Sequence, residues 1–239
     1  MIETKNLRKE FGGVVAIKNL NINIGKEGIT VIIGPNGSGK STLINLLCGT
    51  LTPTAGKIYF EGKDITSLPS YMRARLGLIK MDQYVQIFSD LTVYENLVIA
   101  MQKKTKLSLL KNYEKSVETE KIREILEVIG LHTKYRSQAS TCSYGEQRRL
   151  QIGMILAANP KLILMDEPTS GISPREKEKI IALLQNLSKE KKLVIVEHDM
   201  NVVQRLADTV IVLNEGEVVA TGEPEKVLNS PEVKEIYMR

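Results

Sequence analysis

Apolar positions along the chain follow two rhythms. Leu20, Ile22 and Ile24 alternate with Asn21 and Asn23, the period-two pattern of a strand with one buried face. Ile29 to Ile33 is a short β-branched run that stops at Gly34. Leu162 to Met165 and Leu193 to Val196 are further continuous apolar runs, the pattern of parallel strands covered on both faces. Lys57 to Phe60 predicts another strand. Val210 to Leu213 and Val218 to Ala220 flank Asn214-Glu215-Gly216, a hairpin signal. Helical spacing fills the intervals. Ser41 to Leu47 reads as a helix, with Gly49 and Pro53 as stop signals. Ile122, Ile125, Leu126 and Ile129 recur at i, i+3, i+4 and i+7, and Gly130 ends the run. Ile180, Leu183, Leu184 and Leu187 share one face of a later helix. Ser173-Pro174-Arg175-Glu176 introduces it as a capping box with proline at the first helical position. From about Leu91 to Gly130 the pattern is mostly helical and lysine-rich, as in an inserted helical subdomain.

Composition narrows the class. The chain has 239 residues, 42% hydrophobic and 26% charged, enough for a full core. It has no Trp and 5% aromatic residues, which excludes an aromatic-rich platform for single-stranded nucleic acid; no nucleic-acid partner is expected. The net charge of +5 is concentrated partly in Lys103-Lys104-Thr105-Lys106 and Lys189-Glu190-Lys191-Lys192. Solvated helix faces and loops account for such runs, and mild attraction to anionic lipid or nucleotide is the sharper alternative. Cys48 and Cys142 are far apart and form no disulfide framework or zinc pattern. The start, Met1 to Leu7, lacks the apolar core of a signal peptide. No apolar run reaches the roughly 18 residues needed to span a bilayer. The expectation is a cytoplasmic protein; if it works on a membrane, a partner supplies the membrane.

Two strings carry chemistry. Gly34-Pro35-Asn36-Gly37-Ser38-Gly39-Lys40-Ser41 matches the phosphate-loop pattern G-x-x-x-x-G-K-[ST] between an apolar strand and a helix. Glycines let backbone N–H groups turn inward around phosphate oxygens, and the following helix points its positive end at the same anion. Lys40 can reach the β- and γ-phosphates, and the Ser41 hydroxyl can bind Mg²⁺. The second string, Leu162-Ile163-Leu164-Met165-Asp166-Glu167, is an apolar strand ending in two acids. Side chains alternate along a strand, so the two carboxylates point to different places. Asp166 suits the metal side and Glu167 is the candidate general base.

Ser143-Tyr144-Gly145-Glu146-Gln147, at the start of a helix over Gln147 to Ala158, resembles the L-S-G-G-Q signature of ABC ATPases. Phe11 resembles the aromatic residue that stacks on adenine. Gln83 resembles the Q-loop glutamine, with Gln86 a nearby rival that the spacing to Phe88 disfavours. Ser170 to Ser173 resembles the D-loop, and Val196-Glu197-His198-Asp199 the switch-histidine segment. The resemblance covers essentially the whole chain. It is closest to the ATPase subunits of branched-chain amino acid importers, through Phe11-Gly12-Gly13, Leu91 to Leu97, Tyr144 to Arg149, Glu197 to Met200 and the segment Pro231 to Tyr237. Leu68 to Arg75 also resembles the ATPase of lipopolysaccharide export. Cys142 stands where the signature usually has Leu, Tyr144 where it has Gly and Glu146 where it has Gln. Ser173 stands where the D-loop usually has Asp, which fits its reading as a helix cap.

The resemblance implies a head-to-tail dimer, homo- or heteromeric, with two ATP molecules between the subunits. Gly34, Pro35, Asn36, Gly37, Ser38, Gly39, Lys40, Ser41 and Thr42 of one chain would hold the phosphates, and Ser143, Gly145 and Glu146 of the other would touch the same nucleotide. Ser41, Gln83 and Asp166 would serve Mg²⁺. Glu167, His198 and Gln83 would carry the hydrolysis of ATP to ADP and phosphate. The expected partners are integral membrane permease subunits, a second ATPase subunit and, indirectly, an extracellular solute-binding protein. The expected place is the cytoplasmic face of the cell membrane. The expected fold is α/β: a phosphate-loop core with a mainly parallel sheet, an antiparallel β region near the N-terminus, and a helical subdomain at about 84–155 within one domain over 1–239. A family member without a transporter, and a non-catalytic module that binds ATP only to dimerise, are the alternatives. The chain lacks the long coiled-coil insertion of DNA-repair members. The set Lys40, Asp166, Glu167 and His198 argues against a non-catalytic role.

Overall fold

The computed structural model describes residues 1–25, 28–101 and 111–238. In chain order the strands are β1 (Ile2–Phe11), β2 (Val14–Leu20), β3 (Asn23–Ile24), β4 (Ile29–Ile33), β5 (Ala55–Phe60), β6 (Lys63–Asp64), β7 (Leu78–Met81), β8 (Leu162–Asp166), β9 (Lys192–Val196), β10 (Thr209–Asn214) and β11 (Glu217–Gly222). The helices are α1 (Lys40–Cys48), α2 (Ser70–Arg75), α3 (Val93–Met101), α4 (Lys111–Val128), α5 (Tyr144–Ala157), α6 (Pro174–Leu187), α7 (Met200–Leu206), α8 (Pro224–Asn229) and α9 (Pro231–Met238). None of the described helices is long and apolar enough to cross a membrane. The Lys103–Lys106 cluster lies outside the described residues.

The chain divides into two compact units, one of residues 1–80, 161–168 and 184–239, the other of residues 81–160 and 169–183. The first unit is built on two sheets. One has the order β11-β10-β4-β9-β8-β7, with β10, β4, β9 and β8 running parallel and β11 antiparallel at its edge. The strands β4 and β8 are buried almost throughout, as their continuous apolar runs require. The β10–β11 hairpin turns through Glu215 and Gly216, both at positive φ, as a two-residue hairpin turn demands. The other sheet is antiparallel, in the order β2-β1-β5-β6 with β3 also paired to β1. One continuous core takes Ile2, Ile17, Ile58 and Phe60 from this sheet, Ile32, Leu164, Val194 and Ile211 from the other, and Leu43, Ile44 and Leu47 from α1.

The alternation at Leu20, Ile22 and Ile24 is split between two strands. Asn19 adopts a positive φ of 43°, and the Asn21 side chain takes the Asn6 amide at 2.8 Å and donates to the Asn19 carbonyl at 2.9 Å. Asparagine side chains here occupy backbone groups that a continuous ladder would use.

Arg73 of α2 fixes the far end of α1. It is almost fully buried, and its guanidinium donates to the carbonyls of Leu46 and Leu47 at 2.7 and 2.8 Å, Thr66 at 3.0 Å and Leu68 at 2.8 Å. Two of these carbonyls, those of Leu46 and Leu47, belong to the last helical turn, where a cation is also favoured by the helix dipole. Arg73→Met is therefore expected to lower stability by about 3 kcal/mol, read as a lower denaturation midpoint in urea. An unchanged midpoint would show that water replaces the guanidinium without loss.

The described residues of the second unit hold α3, α4, α5 and most of α6, joined by irregular segments. Leu97 of α3, Ile122 and Leu126 of α4, and Leu150 and Ile152 of α5 are buried in it. Gly153, in the middle of α5, permits close approach: a Cβ there would lie 2.7 Å from Ile129 and 3.2 Å from Leu97. The helix-propensity penalty of that glycine is about 1 kcal/mol, and tighter packing of α5 on its neighbours offsets it.

Candidate active site

The phosphate loop runs from the end of β4 into α1. Gly34, Gly37 and Gly39 all have positive φ. At two of them a side chain has no room: a Cβ on Gly34 would sit 2.1 Å from the Leu213 carbonyl oxygen, and one on Gly39 would sit 2.6 Å from that of Ala16. The loop is thus wedged between β10 and β2. The Ser38 amide donates to the Pro35 carbonyl at 3.2 Å, and the Ser38 carbonyl accepts from Gly216 at 3.0 Å. Lys40 is 9% exposed, and its ammonium donates to the carbonyls of Gly34 and Pro35, both at 2.8 Å. Burial pulls its pKa below the usual lysine value, while the nearby charges of Glu167 and Asp166 push it up. Ser38 Oγ is buried with no hydrogen-bond partner among the described residues. The glycines, the buried cation, this orphan hydroxyl and the helix N-terminus make a cradle that suits phosphate oxygens. Ser41 is exposed and Thr42 half-buried on the first turn of α1.

Asp166 closes β8 opposite Val196 of β9. Glu167 leaves the strand with φ at 48°, the left-handed region that non-glycine residues occupy at a cost of order 1–3 kcal/mol. Its amide is held by the Val196 carbonyl at 3.0 Å. This sharp exit turns Glu167 away from the direction that simple alternation gives, and its Oε1 lies 3.6 Å from His198 Nδ1. His198 follows β9 directly after the buried Glu197. Its amide donates to the Glu197 carboxylate at 3.3 Å. The first unit thereby gathers Lys40, Asp166, Glu167 and His198 around the phosphate loop. Phe11, half-exposed at the end of β1, has the Lys9 ammonium 4.8 Å from its ring centroid.

In the second unit, Ser143 caps α5 in a reciprocal capping box with Glu146: its Oγ accepts from the Glu146 amide at 3.4 Å, and Glu146 Oε2 accepts from the Ser143 amide at 2.9 Å. Lys134 also bonds Glu146 at 2.8 Å. Burial raises the Glu146 pKa, but the hydrogen bonds from Lys134 and Ser143 and the charges of Lys134 and Arg149 outweigh it, and the net shift is downward. Cys142 is buried, so the position where the signature usually has Leu is again taken by a side chain out of water, here a smaller one. Gly145 is buried beside α6, where an added Cβ would lie 2.5 Å from Glu176 Cγ and 2.7 Å from its Cβ. Glu176 in turn pairs with Arg149 at 3.3 Å. Gly145→Ala is expected to cost roughly 1–3 kcal/mol by overpacking, seen as a lower melting temperature; an unchanged melting temperature would leave the glycine a purely functional reason. Ser173 accepts from the Glu176 amide at 3.4 Å, which is its cap role on α6. Gln83 is exposed, in the segment between β7 and α3.

Sequence reasoning alone does not single out Arg148. It is completely buried and bonds the backbone of Asp82 and Gln83. Its spacing of three from Gln151 on α5 is the available signal, but arginines at such positions are ordinarily exposed.

A family model described as ABC transporter matches residues 17–170, more than half of the chain. The chain belongs to the ABC transporter ATP-binding family. It is 33% identical over 248 residues to the high-affinity branched-chain amino acid transport ATP-binding protein LivG of Escherichia coli (strain K12), across 100% of this chain and 97% of the relative. It is 36% identical over 246 residues to the probable branched-chain amino acid transport ATP-binding protein LivG of Archaeoglobus fulgidus, across 100% and 95%. A crystal structure of an ABC transporter cassette in its ADP conformation matches with a TM-score of 0.87 and 35% identity, across 100% of this chain and 98% of that one. A dimeric post-hydrolysis cassette bound to ADP and phosphate matches with a TM-score of 0.76 and 29% identity, across 94% and 99%. This ABC protein is therefore an ATPase coupled to transport, on the phosphate-loop α/β fold expected from its sequence.

Proposed function

We propose that this ABC ATPase hydrolyses Mg-ATP as a head-to-tail dimer at the cytoplasmic face of the cell membrane, and drives a permease that imports amino acids or similar small solutes. The observation that carries the chemistry is the convergence of Asp166 and Glu167 on Lys40, with His198 3.6 Å from Glu167. Lys40 and the loop amides bind the β- and γ-phosphates, with Gly34 to Thr42 as the cradle. Phe11 stacks on adenine. The Ser41 hydroxyl, the Asp166 carboxylate and the Gln83 amide are hard oxygen donors of the kind Mg²⁺ takes, and the bound ion neutralises charge on the phosphate oxygens. Glu167 accepts the proton of the attacking water, and His198 steadies the γ-phosphate. From the opposing chain, Ser143 offers its hydroxyl and Gly145 its backbone N–H at the start of α5. Glu146 acts through Ser143, whose amide its carboxylate fixes.

Full-length likeness to branched-chain amino acid transport ATP-binding proteins supports the solute class; an extracellular solute-binding protein would deliver the solute to the permease. The test is a detergent pull-down of tagged Glu167→Gln protein with Mg-ATP from its native membranes. A multi-span permease in the eluate is expected, and its identity narrows the solute. A second ATPase in the same eluate shows a heterodimer. Soluble partners alone, under several detergents, would overturn the permease assignment.

A further inference from the structure

The segment between β7 and α3 has no ladder of its own, yet its backbone is held at both ends. At the far end, Asn96 of α3 is fully buried and bonds both the amide and the carbonyl of Phe88, at 2.8 and 3.0 Å. At the near end, three successive carbonyls are taken by two side chains of α5. Arg148 Nη1 donates to Asp82 at 3.0 Å, Arg148 Nη2 donates to Gln83, and Gln151 Nε2 donates to Tyr84 at 3.2 Å. Arg148 Nη1 also donates to Gln151 Oε1 at 3.2 Å, so the two side chains brace each other. The i, i+3 spacing puts both on one face of α5. The side chains of Gln83 and Tyr84 meanwhile remain exposed. The same helix begins at Ser143, and the Tyr144 ring centroid on its first turn lies 6.0 Å from Arg148 Cζ.

We propose that Arg148 is a positioning residue for ATP hydrolysis: its planar fork ties the Gln83 backbone to the helix that starts at Ser143, so the glutamine and the signature segment move as one piece. A guanidinium does this where an ammonium does not, because it offers two donors in fixed directions to two adjacent carbonyls. Arg148 acts on turnover only through Gln83, so the inference rests on the reading of Gln83 as a residue of the hydrolytic site.

The chain contains no Trp, so Tyr84→Trp places a single indole reporter beside Gln83 at an exposed position. In that background Arg148→Met is expected to lower the fluorescence anisotropy of the reporter and to lower kcat roughly tenfold, with the KM for ATP changed less than about twofold. Arg148→Lys keeps the buried charge but gathers its donors on one nitrogen without the planar fork, and should fall between the two. Gln83→Ala should lower kcat by itself, and adding Arg148→Met to it should lower kcat no further. Effects that multiply in the double variant would overturn the proposal, since Arg148 would then act independently of Gln83. Unchanged anisotropy in Arg148→Met would overturn it as well. If Arg148→Met does not fold, wild-type anisotropy and turnover in Arg148→Lys would overturn it. Wild-type turnover in Gln83→Ala would instead sink the hydrolytic reading of Gln83, and with it any catalytic purpose for the tie, even if anisotropy still falls.

Discussion

Glu167→Gln is expected to lower steady phosphate release by roughly 10² or more while ATP still binds, the loss that follows removal of a general base. Three features single out Glu167 over Asp166 for this role. Asp166 is the last residue of β8 and continues its ladder opposite Val196. Glu167 instead breaks from the strand at φ 48°, pinned by the Val196 carbonyl, and turns its carboxylate to within 3.6 Å of His198 Nδ1. A strained backbone of that kind persists only where the surroundings over-determine it, and here it sets a carboxylate beside the phosphate loop. Glutamine keeps the size and the backbone demand of glutamate but removes the proton acceptor, together with the negative charge that faces Lys40. Binding should survive, because the Lys40 cradle is untouched. Phosphate release and a nucleotide titration on the same protein check both halves. Near-wild-type release would remove the general-base role from Glu167; lost binding would show that its charge is needed to hold Lys40 in place.

Most of the machinery is legible because it is written locally. The strand, glycine loop and helix of the phosphate site occupy one continuous stretch, and each residue's role follows from its neighbours in sequence. The same is true of β8 with its terminal acids and of the β10–β11 hairpin, where Asn214-Glu215-Gly216 states the turn. What the sequence hides depends on distant partners. β1 does not read as a strand from its pattern: register shifts after Leu7 and Lys9 disturb its alternation, and Asn6 sits at a φ of 48°. Its pairing with β2, β3 and β5 is what makes it a strand. Arg73 and Arg148 look like surface residues of their helices, and only the fold shows their donors spent on distant carbonyls, those of Leu46 and Leu47 for Arg73 and of Asp82 and Gln83 for Arg148. Gly145 resembles a phosphate-binding glycine on pattern alone, whereas its lack of a side chain also answers a packing demand from Glu176 of α6.

Lys40→Met should separate binding from stability. The lysine stem is buried, and burial already works against its charge. Methionine fills a similar volume without the desolvated ammonium, and such exchanges of a buried charge for an apolar group are often neutral or stabilising. The opposing terms are specific: the carbonyls of Gly34 and Pro35 each lose a donor at 2.8 Å, and Asp166 and Glu167 lose the cation whose charge theirs favour. With a lost donor at each carbonyl worth about 1 kcal/mol, the expected change in melting temperature is small in either direction. The effect on phosphate is one-sided. Removing one pre-organised donor from a charge-stabilising site lowers turnover by about 10²–10³, and nucleotide affinity should fall too, because Lys40 is the charged member of the cradle. The two readouts are a thermal melt without nucleotide and the shift of that melt on adding Mg-ATP, which measures binding directly through linkage. A stable protein whose melt no longer shifts with nucleotide is the expected outcome. A full nucleotide shift in Lys40→Met would mean that the loop amides and α1 alone hold the phosphates, and the role of Lys40 would then be confined to the hydrolytic step.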